Sequence, residues 1–170
     1  MRQIIFKVAS VGAKIGEYIA YGGTFLMLLG AILTFAFRYR ISEMNLSQTY
    51  GMSLPLVIYA SIGGAVISFF VARLLKNAGK IIENLSEEAY FAEENVKYSK
   101  RIVILLFALT AVEIGSKVIF SLVSVGRVSA MYDMSVRDYA VNIIFMVIAC
   151  SLTIVFDRGR ILKEDSESII

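Results

Sequence analysis

The apolar positions of this chain fall into four long stretches that polar segments separate. The stretches cover approximately residues 18–37, 54–72, 102–125 and 139–156. Each is close to the length of about 20 residues that an α-helix needs to cross the hydrocarbon core of a bilayer. Helices are the predicted form, because a segment in lipid must satisfy its own backbone hydrogen bonds. The strict alternation typical of a membrane β-strand does not occur in these stretches.

A helical pattern also continues outside the apolar stretches. Apolar residues recur every three or four positions over residues 4–15 and again over 74–85. The first set predicts either a short amphipathic helix on the membrane surface or an extension of span one, and the extension is favoured. The second set predicts that span two continues as a helix and ends near residues 84–86. The acids and then bases of residues 87–101 are typical of the first turns of another helix.

The composition agrees with a membrane protein. Of the 170 residues 58% are apolar, and the mean hydropathy is +0.72. Soluble domains contain about 45–50% apolar residues, even with glycine included. We therefore predict one all-α integral membrane domain over residues 1–170, a four-helix bundle with helical extensions in the cytoplasm and the lipid bilayer as its surroundings.

Lysine and arginine are distributed unevenly between the two ends of the predicted spans. Twelve of the 17 bases lie in the N-terminal segment, in the loop 73–101 and in the C-terminal tail. The two other loops, 38–53 and 126–138, hold four bases, namely Arg38, Arg40, Arg127 and Arg137. Because cytoplasmic loops of membrane proteins carry the excess of bases, both termini are predicted to be cytoplasmic. The bases lie where the predicted membrane topology requires them, so they do not indicate direct binding of nucleic acid.

Residue counts exclude several kinds of chemistry. The chain has no histidine and one cysteine, Cys150. It therefore lacks a Ser-His-Asp triad, a histidine zinc site, a histidine-ligated haem, an intrachain disulfide and a cysteine-rich metal site. We predict a non-enzymatic protein with no cofactor and no metal.

Glu113 and Lys117 are the charged residues inside a predicted span. They are four residues apart, so they lie on one helix face and can neutralise each other. Two interpretations remain open: a structural ion pair that fixes helix rotation, or an intramembrane polar site of a small transport or permeation protein. A transporter would normally show broken helices and several polar residues at the same membrane depth in different spans. The other spans here contain only uncharged polar residues such as Asn142.

Small residues predict where helices approach closely. In span two Ala60, Gly64 and Ser68 follow one another at intervals of four. Such a stripe favours close packing within the bundle, with formation of a homo-oligomer as the alternative. Span one has small residues with the same expected role, which are Gly22, Gly23 and Gly30.

Two motifs at helix ends carry a family resemblance. Residues 91–97 are FAEENVK, before span three, and residues 156–164 are FDRGRILKE, after span four. With four spans in 170 residues, they resemble a bacterial membrane family known as domain of unknown function twenty-nine seventy-five. That family has a Phe-Thr-x-Glu-Asn-Val run before its third helix and a Phe-x-x-Gly-x-x-Leu run after its fourth.

The chain departs from this pattern at two places. Ala92 stands where the family has a Ser or Thr helix cap, and Glu88-Ala89-Tyr90 replaces a turn that contains Gly or Pro. The family has no established activity or cofactor. Its members are often encoded beside a small helix-turn-helix regulator. The resemblance therefore implies a bacterial cytoplasmic membrane and such a regulator as partner.

We predict that the cytoplasmic face binds a protein partner. The predicted surface comprises Phe91, Glu93, Glu94, Asn95, Lys97, Phe156 and Gly159. The alternative interpretation of these residues is helix capping and packing at the membrane surface, in which Gly159 lets the chain leave span four.

Overall fold

The computed structural model describes residues 2–37, 53–122 and 136–168. Within these ranges the regular elements are four α-helices: α1 Arg2–Ala36, α2 Leu54–Ser86, α3 Glu93–Leu122 and α4 Val136–Glu167. All four are long and apolar enough to cross a membrane. The prediction of an all-α fold built on four long apolar helices is confirmed.

Parts of the predicted outer loops lie outside the described residues. These parts include Arg38, Arg40, Arg127 and the side chain of Arg137. The last three residues of predicted span three, 123–125, also lie outside them. The sidedness of the chain therefore stays a prediction.

Each helix runs antiparallel to the one before it and packs along it. In the described ranges extensive contacts join α1 to α2, α2 to α3 and α3 to α4. This order is consistent with an up-and-down four-helix bundle. Packing is most extensive between α1 and α2, although most of the large apolar side chains of α1 are exposed. In lipid such side chains contact acyl chains.

All four helices continue beyond the apolar spans at the same end of the molecule. We call this the basic end, defined by residues 2–17, 73–101 and 157–167, because it holds twelve bases. The unbroken α1 confirms the predicted extension of span one, and α2 ends at Ser86 as predicted. The 14 residues of α2 beyond residue 72 add about 21 Å of helix, at about 1.5 Å per residue.

Helix α4 does not end at Gly159, so the prediction that this glycine lets the chain leave span four is wrong. The helix continues to Glu167. Arg160 supports this continuation through an ion pair of 2.9 Å with Glu164, one turn later. The glycine instead lies beneath Phe91, whose ring occupies the space where a side chain at Gly159 would lie.

Small residues mediate the contact between α1 and α2. A methyl group on Gly23 would lie 3.5 Å from the Ser68 hydroxyl, and one on Gly79 would lie 3.4 Å from Ala13. Ser68 of the small-residue stripe of span two thus packs against α1, which supports packing within the chain at this position. Of the span-one glycines only Gly23 has this role, because Gly22 and Gly30 have no neighbour within 4 Å of an added methyl.

The turn between α2 and α3 begins with a Schellman arrangement. The Ala89 amide donates to the Asn84 carbonyl at 2.9 Å, and the Glu88 amide donates to the Leu85 carbonyl at 3.4 Å. Glu88 has a φ of 61°, the left-handed conformation that this arrangement requires. Glycine normally occupies this position, because a β-carbon is strained there.

Replacing Glu88 with glycine is therefore expected to raise the free energy of unfolding by about 1 kcal/mol. The side chain of Glu88 is exposed, so no packing is lost. Equilibrium unfolding in mixed micelles of a mild detergent and dodecyl sulfate measures the change. Glu87→Gly is the matched control, because Glu87 is also exposed but has a φ of −89°. An equal gain in both variants would contradict the explanation.

Candidate functional site

The predicted partner surface separates into exposed and buried residues. Glu93, Glu94 and Lys97 are exposed, and Phe91 is 41% exposed. The other predicted members belong to the interior or are covered: Asn95, Phe156 and Gly159.

Asn95 is fully buried, which corrects its assignment to a binding surface. Its side-chain amide donates to the carbonyls of Ala89 at 2.8 Å and Tyr90 at 3.0 Å. Its side-chain oxygen accepts a hydrogen bond of 2.7 Å from Asn84. The side-chain amide and oxygen of Asn95 thus both have hydrogen-bond partners, two of them in the preceding turn and one in α2. These bonds stabilise the shape of the turn.

Phe156 is also buried, at 6% exposure, and packs with Ile81 and Val96. This small core joins α2, α3 and α4 at the basic end. Phe156 is therefore a packing residue and does not present a surface to a partner. Phe91 was also predicted as a packing residue, and its contact with Gly159 connects the turn to α4.

The exposed residues around the turn form an acidic surface. We call it the acidic turn, and its members are Glu87, Glu88, Phe91, Glu93, Glu94 and Lys97. Lys97 pairs with Glu93 at 3.0 Å, and this hydrogen bond holds the pKa of the Glu93 carboxyl below its usual range. Ala92 has no side-chain oxygen to cap α3, but two acids in its first turn favour the helix N-terminus.

An ion cluster joins α1 to α2 at the basic end. Glu83 on α2 contacts Lys80 at 2.9 Å and Lys14 on α1 at 3.7 Å. The hydrogen bond from Lys80 is the largest cause that holds the pKa of Glu83 below its ordinary value of 4.5, and the charge of Lys14 adds to it. The same hydrogen bond raises the pKa of Lys80.

The contribution of Glu83 to stability is expected to depend on pH. Because the pKa of Glu83 is lower in the folded state, its carboxylate stabilises the fold at pH values above the unfolded pKa of 4.5. This contribution is lost as the pH falls through the lower pKa of the folded state. Replacing Glu83 with glutamine should cost about 0.5 kcal/mol at pH 7, because the pairs are partly exposed. The difference from the wild type should vanish in unfolding experiments near pH 3, whereas a constant difference would point to packing.

A second polar cluster lies in the apolar part of the helices. Glu113 is 7% exposed and accepts a hydrogen bond of 3.0 Å from the side-chain amide of Asn142 on α4. The same amide lies 3.4 Å from the hydroxyl of Thr110. Lys117 places its ammonium 5.8 Å from the centre of the Tyr139 ring, also on α4.

The same stretch of α3 contacts α2 through polar and aromatic groups. The hydroxyls of Tyr59 and Ser116 are 3.3 Å apart. The Tyr59 ring also meets Phe120 edge-on at 5.6 Å between centroids. Polar groups of α3 thus contact both neighbouring helices, α4 through Glu113 and Thr110 and α2 through Ser116.

The sequence identified Glu113 and Lys117, but it did not indicate the importance of Asn142. Asn142 lies near the start of predicted span four, whereas Glu113 lies near the middle of predicted span three. A comparison of their expected depths in the membrane would therefore not have predicted a contact between Asn142 and Glu113. The signal that did exist is chemical, because an amide is a strong donor to a buried carboxylate.

Removing the Asn142 donor is expected to lower the free energy of unfolding by about 1–2 kcal/mol, in the upper range for hydrogen bonds between membrane helices. Asn142→Leu should have a much smaller effect when Glu113→Leu is already present, because the shared bond is then absent. A double-mutant cycle in mixed micelles measures the coupling. Ser151→Ala is the control, since the Ser151 hydroxyl donates to the carbonyl of Val147 in its own helix.

Hydroxyl groups join α3 to α4 nearer the basic end. The Ser99 hydroxyl is 1% exposed and donates to the Ala149 carbonyl at 3.1 Å. It also shares a hydrogen bond of 2.7 Å with Thr153. The sequence did not predict this contact, because serine and threonine at these positions are unremarkable in a helix.

Neither the acidic turn nor the cluster at Glu113 can be compared with the site of a relative. The resemblance to a four-span family and the partnership with a regulator stay predictions. Comparison with protein-family models, with curated proteins and with solved structures finds no match to this chain.

Proposed function

We propose that this chain is a non-enzymatic, four-span protein of a bacterial cytoplasmic membrane that binds a cytoplasmic protein through the acidic turn. Both termini and the turn lie in the cytoplasm in this proposal. The partner is a protein with a basic surface, such as the helix-turn-helix regulator that the family resemblance implies.

The supporting observation is the length of the four helices at the basic end. There every helix continues for about nine to sixteen residues beyond its apolar span. The extensions are held together by the Ile81–Val96–Phe156 core and by the Lys14–Glu83 pair. A packed polar body on one side of a membrane protein is suited to contact with soluble proteins.

The charge of the acidic turn favours a basic partner. The turn exposes four carboxylates and one lysine, although the basic end as a whole carries more bases than acids. Phe91 adds an apolar group that lies between these acids in the sequence, is 41% exposed and has its ring against Gly159. Aromatic residues are enriched at protein interfaces.

Cysteine accessibility tests the sidedness. With Cys150→Ala the chain has no other cysteine, so single cysteines can be introduced at Glu94 and, in the predicted outer loop 38–53, at Ser47. A membrane-impermeant thiol reagent should label Ser47→Cys in intact cells and Glu94→Cys only after the cells are permeabilised. The reverse pattern would contradict the proposal.

Co-purification from mild detergent tests partner binding. We expect a basic protein to copurify with the wild type and to be lost when Glu93, Glu94 and Lys97 are all replaced by alanine. The control replaces Lys163, Glu164 and Asp165, exposed charges near the end of α4. Binding should weaken as salt rises, because exposed charges are screened. Recovery of the same protein with both variants would overturn the proposed role of the turn.

The buried carboxylate of Glu113 favours a second candidate, a small transport or permeation protein. An ionisable group inside a predicted span marks a functional site by default. The hydrogen bond from Asn142 holds the carboxylate of Glu113 beside α4. Flux measured in vesicles with wild type, Glu113→Gln and Lys117→Gln tests this candidate, which requires a flux that the Glu113 variant abolishes.

A further inference from the structure

A groove of about 430 Å³ lies on the lateral surface between α3 and α4. It begins at the boundary of the basic end and runs along the apolar spans. Its lining residues are Lys100, Val103, Ile104, Cys150, Thr153 and Ile154.

The groove is shallow, and its lining beyond Lys100 offers an occupant mainly apolar contact. Val103, Ile104 and Ile154 provide hydrocarbon, and Ile104 and Ile154 are each more than 60% exposed. The hydroxyl of Thr153 is engaged with Ser99 and with the Ala149 carbonyl at 2.8 Å. An occupant of this part therefore needs no hydrogen-bonding groups, which is the property of an acyl chain.

The rim of the groove carries a positive charge. Lys100 is exposed and forms no ion pair within the described ranges, in contrast to Lys97, which pairs with Glu93. It stands two residues before predicted span three, which in the proposed membrane topology corresponds to the depth of lipid headgroups. Asp157, the acid that follows the groove residues Thr153 and Ile154 on α4, is already paired with Arg160 at 3.5 Å. The ammonium of Lys100 is thus available to an anion from outside the chain.

From this geometry we propose that the groove between α3 and α4 is a binding site for an anionic phospholipid, with one acyl chain along the groove and the headgroup phosphate at Lys100. The inference rests on the membrane insertion proposed above. It adds a ligand that is distinct from the protein partner of the acidic turn. It also explains how apolar side chains at the α3–α4 seam are covered beside a basic residue.

Photo-crosslinking of the wild-type chain tests the site. The protein is reconstituted into phosphatidylcholine vesicles with a trace of either phosphatidylglycerol or phosphatidylcholine that carries a diazirine on one acyl chain. Adducts are mapped by mass spectrometry of peptides. We expect groove peptides around Ile104 and Ile154 to be labelled about fivefold more by the anionic probe, the factor expected for one base near a surface.

Variants at Lys100 separate the proposed contact from general attraction. Lys100→Gln should reduce the preference to about one, whereas Lys100→Arg should keep it. Lys76→Gln is the matched control, because Lys76 is an exposed base on α2 at the same end. Equal labelling of the groove by the two probes, or a preference that survives Lys100→Gln, would overturn the proposal.

Labelling of a reference segment distinguishes failure of this site from failure of insertion. Phe25 lies in span one and is 66% exposed, far along the chain from the groove. Its peptide should be labelled equally by both probes if the helices are in the bilayer. Labelling at Phe25 without a preference in the groove rejects only the lipid site. Absence of labelling in both places rejects membrane insertion and the lipid site with it.

Discussion

Replacing Asn95 with alanine is expected to lower the free energy of unfolding by about 3 kcal/mol, the loss of three hydrogen bonds at about 1 kcal/mol each. Asn95 is fully buried and connects three groups of the α2–α3 turn. Alanine removes these bonds together and leaves a space that the turn can fill only by changing shape. Unfolding in mixed micelles measures the loss.

Two variants show whether this cost comes from the hydrogen bonds. Asn84→Ala removes the single bond from Asn84 to Asn95 and should cost about 1 kcal/mol. Glu94→Ala changes an exposed neighbour in the same helical turn and should cost less than about 0.5 kcal/mol. An Asn95→Ala variant as stable as Glu94→Ala would show that the turn does not depend on Asn95. Loss of partner binding in Asn95→Ala would further connect the turn to the proposed function.

A substitution at Gly159 should have an effect opposite to the one that helix propensity predicts. Gly159 lies inside α4, where replacement by alanine would ordinarily stabilise a helix by about 1 kcal/mol. Here the new methyl group overlaps the ring of Phe91. We expect Gly159→Ala to lower the free energy of unfolding by about 2 kcal/mol, because the ring must move or the helices must separate.

The partner of this contact provides the control. When Phe91→Ala is already present, the space above Gly159 is empty and Gly159→Ala should stabilise the chain by about 1 kcal/mol. The sign of the effect therefore reverses between the two backgrounds, and unfolding of the four variants measures it. A stabilising effect of Gly159→Ala in the wild-type background would refute the close contact.

The helices could be predicted from the sequence because their signals are local. Apolar length defines a span, and the recurrence of apolar residues over 74–85 defined the end of α2 at Ser86. The role of Gly159, as the residue that lets the chain leave span four, was predicted wrongly for the same reason. A glycine after an apolar run is usually a helix end, and only the contact with Phe91, from a distant part of the chain, explains why Gly159 lies inside the helix.

The candidate sites depended more on contacts between distant residues. The charge of Glu93, Glu94 and Lys97 correctly indicated an exposed face. Asn95, in the same motif, is buried because the left-handed turn at Glu88 brings two carbonyls to its amide. Such a backbone conformation at a glutamate has no sequence signal. The bond between Glu113 and Asn142 depends on the register of two helices, which periodicity does not define.

The packing of each helix on its predecessor has a consequence for biogenesis. The most extensive interface, between α1 and α2, is complete in a nascent chain that has emerged only as far as Ser86. Helix α3 can then pack on α2, which has already been synthesised, and α4 can pack on α3. Within the described ranges α2, α3 and α4 each pack extensively on the helix before them, so we expect the order of synthesis to be also an order of assembly. A ribosome that pauses within this chain leaves behind a partial structure whose exposed face is the docking surface of the next helix.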